Sequence, residues 1–553
     1  MTYLQAIAYL DSLIDFERKP LPEQARSWNL DRTRALLAAV GDPHKSLRTI
    51  HIAGTKGKGS TAAFIAPILR AAGHRVGLYT SPHLVDFRER IRLDGACIPK
   101  RDVSKLVAQL QPHVQRLKRA LPFPPSFFEV YTTLALRWFA NKEVDLAVLE
   151  TGLGGRLDAT NVVTPLVSII TTIGLDHTVE LGPTISHIAR EKAGIIKPGV
   201  PVICAPQRRG AFREISRAAH DVNAPLYRLS LSPPGGGLPG QGVGGGAPHC
   251  ILEVPCPSSP PPSWGRMGGV AQPLPAVRNI PSPLAGEGLG GGARYGQDFL
   301  FTGLDGKTHL FRIPLLGSPQ VINASLACAC AQLLGIRTSA IRSGLVSARW
   351  PGRFHMIPGD PTIVLDCAHD GISAQALARD ISAAFPKADI TLVLGISSDK
   401  DASAIIRPLS RIAKRVITTR AKLPRAAEPL ALARLVQRLR RGAGSPEPAA
   451  QRARGLQTPR IEAIAPVPKA LHRALSLARP VGRGLATLRS GASLRSTSHP
   501  PPAPSRHCDR PVLRSLAEAG NEQSHHVILV TGSVYVVGEA MHALHISPCD
   551  LPL

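Results

Sequence analysis

The sequence predicts an α/β protein: a mostly parallel sheet covered by helices, followed by a smaller α/β unit. Three observations predict this. Between about residues 45 and 205, short apolar runs alternate with amphipathic helical ones, the rhythm that βαβ crossovers produce. The first of those runs passes directly into a glycine-rich loop and then a helix, Thr49-Ile-His-Ile-Ala-Gly-Thr-Lys-Gly-Lys-Gly-Ser60. A second alternation of the same kind starts near Trp350.

Taken in order, the expected strands of the first part are Thr49–Ile52, Val76–Tyr79, Leu146–Glu150, Val167–Thr171 and Val202–Ala205. Each is too short and too apolar for a surface helix and is bounded by polar or turn residues. The helices between them are Ser60–Ala72, Lys105–Leu117 (with Pro112 as a kink point), Phe128–Phe139 and Ile185–Lys192. In such a sheet the working residues gather at the C-terminal ends of the strands. In the second part, Thr362–Asp366, Ile390–Gly395, Arg415–Thr419 and Val527–Thr531 read as strands. Ala374–Ala384, Ala402–Ile412 and Leu430–Leu439 read as helices. This second part is Rossmann-like. The expected division is residues 1–348 and 349–553.

Two segments break the rhythm. Residues 231–297 are rich in Gly and Pro, and residues 481–523 in Arg, Ser and Pro. Neither composition buries enough apolar surface to offset the entropy of ordering. Both read as disordered insertions, the second between a helix Val467–Leu477 and the strand Val527–Thr531.

Composition narrows the function. The 553 residues suffice for two or three cores. No run of about 18 apolar residues is present, so no membrane partner is expected. The start of the chain lacks a basic, then apolar, leader. Nine scattered cysteines without a C-x-x-C pair suggest reduced thiols in a cytoplasmic protein. The formal charge of +27 raises the question of nucleic acid. The arginines are spread out, with few aromatic residues beside them to stack bases. A basic surface equally attracts polyanionic small molecules, so no nucleic-acid partner is expected.

The chemistry concentrates in a few stretches. In the first, Gly54, Gly57 and Gly59 let the backbone turn so that several N–H groups face one anion. The start of the following helix adds partial positive charge. Lys58 would reach the β- and γ-phosphates of a nucleotide, and Ser60 the phosphates or a magnesium ion. The spacing departs from G-x-x-x-x-G-K-[ST]: Ile52 stands at the first glycine position, and Gly59 separates lysine from serine. In the second stretch, Glu150 ends an apolar strand before Thr-Gly-Leu-Gly-Gly-Arg-Leu-Asp-Ala-Thr-Asn161, where a carboxylate would hold a nucleotide's magnesium. Asp176 and His177 follow the next strand. His177 would be an atypical magnesium ligand, and a lone histidine at a strand end is more often structural. Lys192, in Glu191-Lys-Ala-Gly-Ile195, reads either as a solvated partner of Glu191 or as a lysine facing the metal. In the latter case its amine would be neutralised by burial and carbamylated by CO2.

Together these stretches resemble folylpolyglutamate synthase/dihydrofolate synthase, the folate branch of the Mur ligase superfamily. The matching residues are His51-Ile-Ala-Gly-Thr-Lys-Gly-Lys-Gly-Ser60, Tyr79-Thr-Ser-Pro-His-Leu-Val-Asp-Phe-Arg-Glu-Arg-Ile91, Phe127-Phe-Glu129, Leu149 to Asn161, Gly174-Leu-Asp-His177 and Glu191 to Ile195. In the second part they are Trp350-Pro-Gly-Arg-Phe354, Leu365-Asp-Cys-Ala-His-Asp370, Gly395-Ile-Ser-Ser-Asp-Lys-Asp401 and Val530-Thr-Gly-Ser-Val-Tyr535. They span nearly the whole chain outside the two insertions.

The resemblance implies a P-loop, Mur-ligase-like ATP-binding domain and a C-terminal ligase domain. It implies an ATP-dependent ligase that joins L-glutamate to dihydropteroate, to folyl-(poly)glutamate, or to both, through an acyl phosphate. ATP would be held by Gly54, Thr55, Gly57, Lys58, Gly59 and Ser60, with Asn323, Arg353, Asp366 and His369. Ser81, Glu150, His177 and a carbamylated Lys192 would hold magnesium, two ions in all. Lys58, His177 and Lys192 would serve the chemistry. Ser81, Phe127, Phe128, Glu129, Leu157, Asp158 and Ala159 would border the pteroate or folate substrate. Family members are often monomers. Two residues depart from the common pattern, Lys56 and Asp370, both where Asn is usual. Other readings stay open from sequence: a folylpolyglutamate synthase only, a ligase of peptidoglycan or cyanophycin type, or a nucleic-acid-stimulated NTPase using the basic segments.

Overall fold

The computed structural model describes residues 1–13, 29–231, 248–253, 296–441, 460–478 and 526–551. The chain forms two compact units. The first comprises Met1–His355, Leu365–Cys367 and Val537–Leu553; the second comprises Met356–Val364 and Ala368–Val536.

The strands are β1 (Thr49–Ala53), β2 (Val76–Tyr79), β3 (Ile91–Leu93), β4 (Ala96–Cys97), β5 (Leu146–Glu150), β6 (Val167–Ile170), β7 (Val202–Cys204), β8 (Leu226–Leu231), β9 (His249–Glu253), β10 (Gln297–Thr302) and β11 (Thr308–Ile313), then β12 (His355–Ile357), β13 (Thr362–Leu365), β14 (Asp389–Leu394), β15 (Arg415–Thr418), β16 (Arg460–Ala463) and β17 (His526–Thr531). The helices are α1 (Tyr3–Asp11), α2 (Asp31–Ala39), α3 (Lys58–Ala71), α4 (Lys100–Ala120), α5 (Phe127–Asn141), α6 (Thr178–Leu181), α7 (Ile185–Ala193), α8 (Arg209–Asp221), α9 (Ser318–Leu333) and α10 (Thr338–Ser347), then α11 (Gly371–Ala384), α12 (Ala402–Ile412), α13 (Pro429–Arg441), α14 (Val467–Ala478) and α15 (Val534–Ala543).

The large sheet runs β11-β10-β9-β8-β7-β6-β1-β5-β2-β3-β4. Its centre is parallel: β1 pairs with both β5 and β6, β5 with β2, and β6 with β7. Both faces of that centre are buried, which is why its strands read as continuous apolar runs. Ile50, Ile52 and Val148 face one core with Phe64 and Ile68 of α3 and Ala327 of α9. Tyr79, Ala147 and Leu149 face another with α1, α2, α4 and α5. The smaller sheet runs β12-β13-β17-β14-β15-β16, with β14 parallel to β15 and β17. The α/β architecture with a second, smaller sheet is the one the sequence predicts.

Two expectations need correction. Residues 249–253, within the segment read as one insertion, form β9 of the large sheet, with Cys250 and Leu252 buried. Gly and Pro on either side hide that five-residue alternation. The remainder of 231–297 and all of 481–523 fall mostly or wholly outside the described residues. The expectation of reduced thiols also fails at one place. Cys97 and Cys549 form a disulfide, with Cα atoms 5.5 Å apart, across 452 residues of sequence. No spacing rule could pair them. Nearby, the buried Arg92 donates to the carbonyls of Gly95, Pro548 and Leu551 and so fixes the same C-terminal stretch. No helix among the described residues is long and apolar enough to cross a membrane.

Candidate functional site

The C-terminal ends of β1, β5 and β6 in the first unit carry most of the residues singled out in sequence. After β1 the loop is tied to the neighbouring strand: the N–H groups of Thr55 and Lys56 both donate to Thr172 O at 3.0 Å. Gly57 has φ +92° and sits immediately before α3. A Cβ there would lie 2.2 Å from Asn323 Oδ1, so only glycine fits. The first bond of α3 runs from Thr61 N to Gly57 O. The amides of Lys58, Gly59 and Ser60 therefore precede the helix ladder, as an anion cradle requires.

Asn323 is inside α9, not at its start, so it caps nothing. Its Nδ2 donates to Gln320 Oε1 and its Oδ1 lies 3.5 Å from Thr61 Oγ1, which sets it against the glycine loop.

Glu150 ends β5. Its carboxylate is buried, accepts the Ser81 N–H at 3.1 Å, and lies 3.9 Å from Lys58 Nζ. Burial pushes its pKa up, and the positive charges of Lys58 and Arg353 pull the other way. A buried, sparsely bonded carboxylate beside a serine is the hard oxygen set that magnesium takes. His177 stands on the loop after β6 with φ +51°, half exposed, its Nδ1 3.9 Å from Glu180. It offers a softer nitrogen.

Lys192 closes the loop from the other side. It lies in the last turn of α7, is almost fully buried, and donates from Nζ to Gly54 O at 2.9 Å. Burial, followed by repulsion from Lys58, lowers its pKa from 10.5 to about 7. The solvated-pair reading is thereby excluded: Glu191 pairs instead with Arg156 at 2.9 Å.

The unusual Lys56 finds a partner in Asp176, 3.5 Å away. Asp370 caps α11, accepting from Ser373 N at 2.8 Å. Aspartate serves that position as well as asparagine does. Asp366 accepts the Phe354 N–H at 2.8 Å, within the same unit as Arg353. His369 belongs to the second unit.

The residues expected to border the substrate differ in burial and in partners. Phe127 is 1% exposed and stacks on Tyr131, with ring centroids 5.4 Å apart; it is a core residue. Glu129 completes a capping box with Ser126 and pairs with Arg32 at 2.9 Å. Phe128, partly buried near Tyr79, is the member of the triplet left at the margin of the core. Asp158 is buried and accepts from Gly152 N, Leu153 N and Thr160 N. Beside it, Ala159 is buried and Leu157 partly so. Sequence reasoning missed Arg32, 97 residues from its partner, and Glu89. The Glu89 carboxylate gathers the N–H groups of Leu84, Val85 and Asp86 and so shapes the loop after Ser81.

Comparison with known proteins adds the following. A family profile described as "Mur ligase, glutamate ligase domain" matches residues 352–487. The chain is 34% identical over 422 residues to a dihydrofolate synthase/folylpolyglutamate synthase of Bacillus subtilis, covering 73% of this chain and 86% of the relative. It is 32% identical over 412 residues to a folylpolyglutamate synthase of Lacticaseibacillus casei, covering 73% and 82%. Among solved structures, Mycobacterium tuberculosis folylpolyglutamate synthase complexed with ADP and AMPPCP superposes with a TM-score of 0.69 at 25% identity, over 99% of each chain. The Thermotoga maritima folylpolyglutamate synthase gives 0.65 at 27%, over 98% of this chain and 96% of that one.

Proposed function

This chain belongs to the folylpolyglutamate synthase/dihydrofolate synthase family, and we propose that it joins L-glutamate to both dihydropteroate and reduced folates, using ATP. The observation that carries this is the glycine loop whose helix-start lysine, Lys58, faces the buried strand-end Glu150 at 3.9 Å. That arrangement suits a terminal phosphoryl group being moved, rather than a nucleotide merely being bound.

A carboxylate is a poor electrophile because oxide would have to leave. Transfer of the γ-phosphoryl group to it gives an acyl phosphate, whose leaving group is phosphate. The amine of glutamate then attacks, and the amide forms as phosphate departs. Such chemistry needs positioning and charge neutralisation more than covalent help from side chains. Lys58 and the amides of Gly59 and Ser60 offset charge on the phosphates. Asn323 supports the loop from behind Gly57. Magnesium, with Glu150 and Ser81 as its oxygen donors and His177 beside them, supplies further neutralisation when bound.

We further propose that Lys192 is carbamylated. With a pKa of about 7, its amine is an ammonium below that pH and a neutral nucleophile toward CO2 above it. Activity is therefore expected to climb as pH rises through about 7 and to fall in CO2-stripped buffer. A 13C carbamate signal from labelled bicarbonate, lost in Lys192→Met, checks this. No such signal in active wild-type protein would contradict it.

The functional test is incubation with ATP, magnesium, labelled glutamate and either dihydropteroate or tetrahydrofolate, with products read by mass. Glutamylated product from both acceptors is expected. Product from tetrahydrofolate alone would reduce the assignment to a folylpolyglutamate synthase. ATP turnover that needs nucleic acid and not glutamate would overturn it.

A further inference from the structure

We infer that His51 is a positioning residue for this reaction: its Nε2–H heads a one-way chain of hydrogen bonds, through Thr160 to Asp158, that ties the loop after Glu150 to the strand leading into the glycine loop. The inference rests on the ligase reading above.

His51 is fully buried in β1, a central parallel strand whose five residues are all buried. Its Nε2 lies 2.8 Å from Thr160 Oγ1, and Thr160 Oγ1 lies 2.5 Å from Asp158 Oδ1. Counting donors fixes the direction of each bond. Three backbone N–H groups, from residues 152, 153 and 160, converge on the Asp158 carboxyl group. Burial raises the Asp158 pKa and these hydrogen bonds oppose the rise; with three N–H groups already donating to it, the group serves as the acceptor. The single hydroxyl proton of Thr160 therefore goes to Asp158, at the short distance of a charge-assisted bond. The Thr160 oxygen is left to accept, and His51 must donate from Nε2. Nδ1 then carries the lone pair, in keeping with its burial without a partner among the described residues. Burial also holds the ring far on the neutral side, with a pKa of about 3, so the tautomer persists across the working pH range.

The chain sits where position matters. Within β1, Ile52 pairs with Glu150 of β5, and Ile52 O accepts the Thr151 N–H at 3.0 Å. That bond holds the start of the loop, one residue after Glu150. His51 holds its far end through Thr160, and Asp158 folds residues 152 and 153 back onto it. Two adjacent residues of one strand thus clamp both ends of the loop that begins at the proposed metal carboxylate. The same strand leads into the proposed phosphate loop. Errors in this clamp fall on the spacing between Glu150 and Lys58.

The test uses the full-length enzyme, four single variants and one double variant. His51→Leu and Thr160→Val break the chain. His51→Gln keeps an N–H donor at similar reach, and Thr160→Ser keeps the hydroxyl. In wild type, long-range 15N–1H histidine spectra should show a buried ring of the Nε2–H tautomer that persists as pH is lowered to 5. The breaking variants should lose roughly 10- to 100-fold in kcat with KM for ATP within about threefold, a split in which chemistry suffers and binding does not. The two conservative variants should recover most of that loss. The double variant His51→Leu/Thr160→Val should be no slower than the worse single one. A His51→Leu enzyme that loses thermal stability but keeps its kcat would overturn the proposal, as would an Nδ1–H tautomer. The spectra are independent of turnover, so failure of the ligase assignment would show as an inactive wild type with the tautomer intact.

Discussion

Replacing Lys58 by alanine is expected to cut glutamate-dependent ADP release roughly 10³-fold while leaving the fold intact. Removing one preorganised donor aimed at developing charge costs about 10²- to 10³-fold in comparable sites. Lys58 joins that donor role to a full positive charge at the start of α3. The fold should tolerate the change because Glu150 has another way to settle. Its pKa is already raised by burial, with Lys58 opposing the shift. Without Lys58 the group keeps the Ser81 N–H at 3.1 Å and the opposing charges of Arg353 and Arg90, while burial favours its neutral form further. Far-UV circular dichroism and thermal melts should therefore superpose closely on wild type at neutral pH. A Lys58→Ala enzyme with near-normal turnover would remove the phosphate role from this loop.

The largest effect on stability is expected from Gly54→Ala. Gly54 has φ +150°, and a Cβ built on it would lie 1.8 Å from Thr171 Oγ1 and 3.1 Å from Thr171 N. The neighbour cannot step aside, because the Thr171 N–H donates to Ala53 O at 2.8 Å and belongs to the pairing of the two strand ends. Overpacking and backbone strain each cost about 1–3 kcal/mol, so a loss of about 3 kcal/mol is expected. That corresponds to a fall in melting temperature on the order of 10 °C for a domain of this size. Activity should fall with it, since Gly54 O also receives the Lys192 ammonium or amine. A melting temperature within a degree or two of wild type would mean that the loop is not packed as described.

The sequence carried the architecture because the central strands announce themselves. Val76–Tyr79 and Leu146–Glu150 are apolar on both faces and bounded by polar residues, and they form strands with those limits. The glycine loop was legible for the same local reason: a turn that needs φ > 0 leaves a glycine in the sequence. What was not legible depends on partners distant in the chain. Phe127 and Phe128 look alike in sequence, yet one stacks on Tyr131 in the core and the other remains at its margin. The resemblance places Glu129 at the substrate, but its pairing with Arg32, 97 residues away, has no local signal in the sequence. His51 lay inside the most conspicuous motif and carried no role, because Thr160 is 109 residues away. Strand β9, which lies between β10 and β8, was hidden by its composition: five alternating residues between glycine- and proline-rich flanks carry too little periodicity to count.

The most direct measurement follows the oxygen atoms of the acceptor. If the terminal phosphoryl group of ATP passes to the bound carboxylate, one carboxylate oxygen must leave with the phosphate when the amide forms. Acceptor labelled with 18O in the reacting carboxyl group, turned over with ATP and L-glutamate, should yield inorganic phosphate carrying one 18O per amide made. Phosphate free of label, in the presence of stoichiometric glutamylated product, would show that the carboxylate is never phosphorylated and would contradict this account.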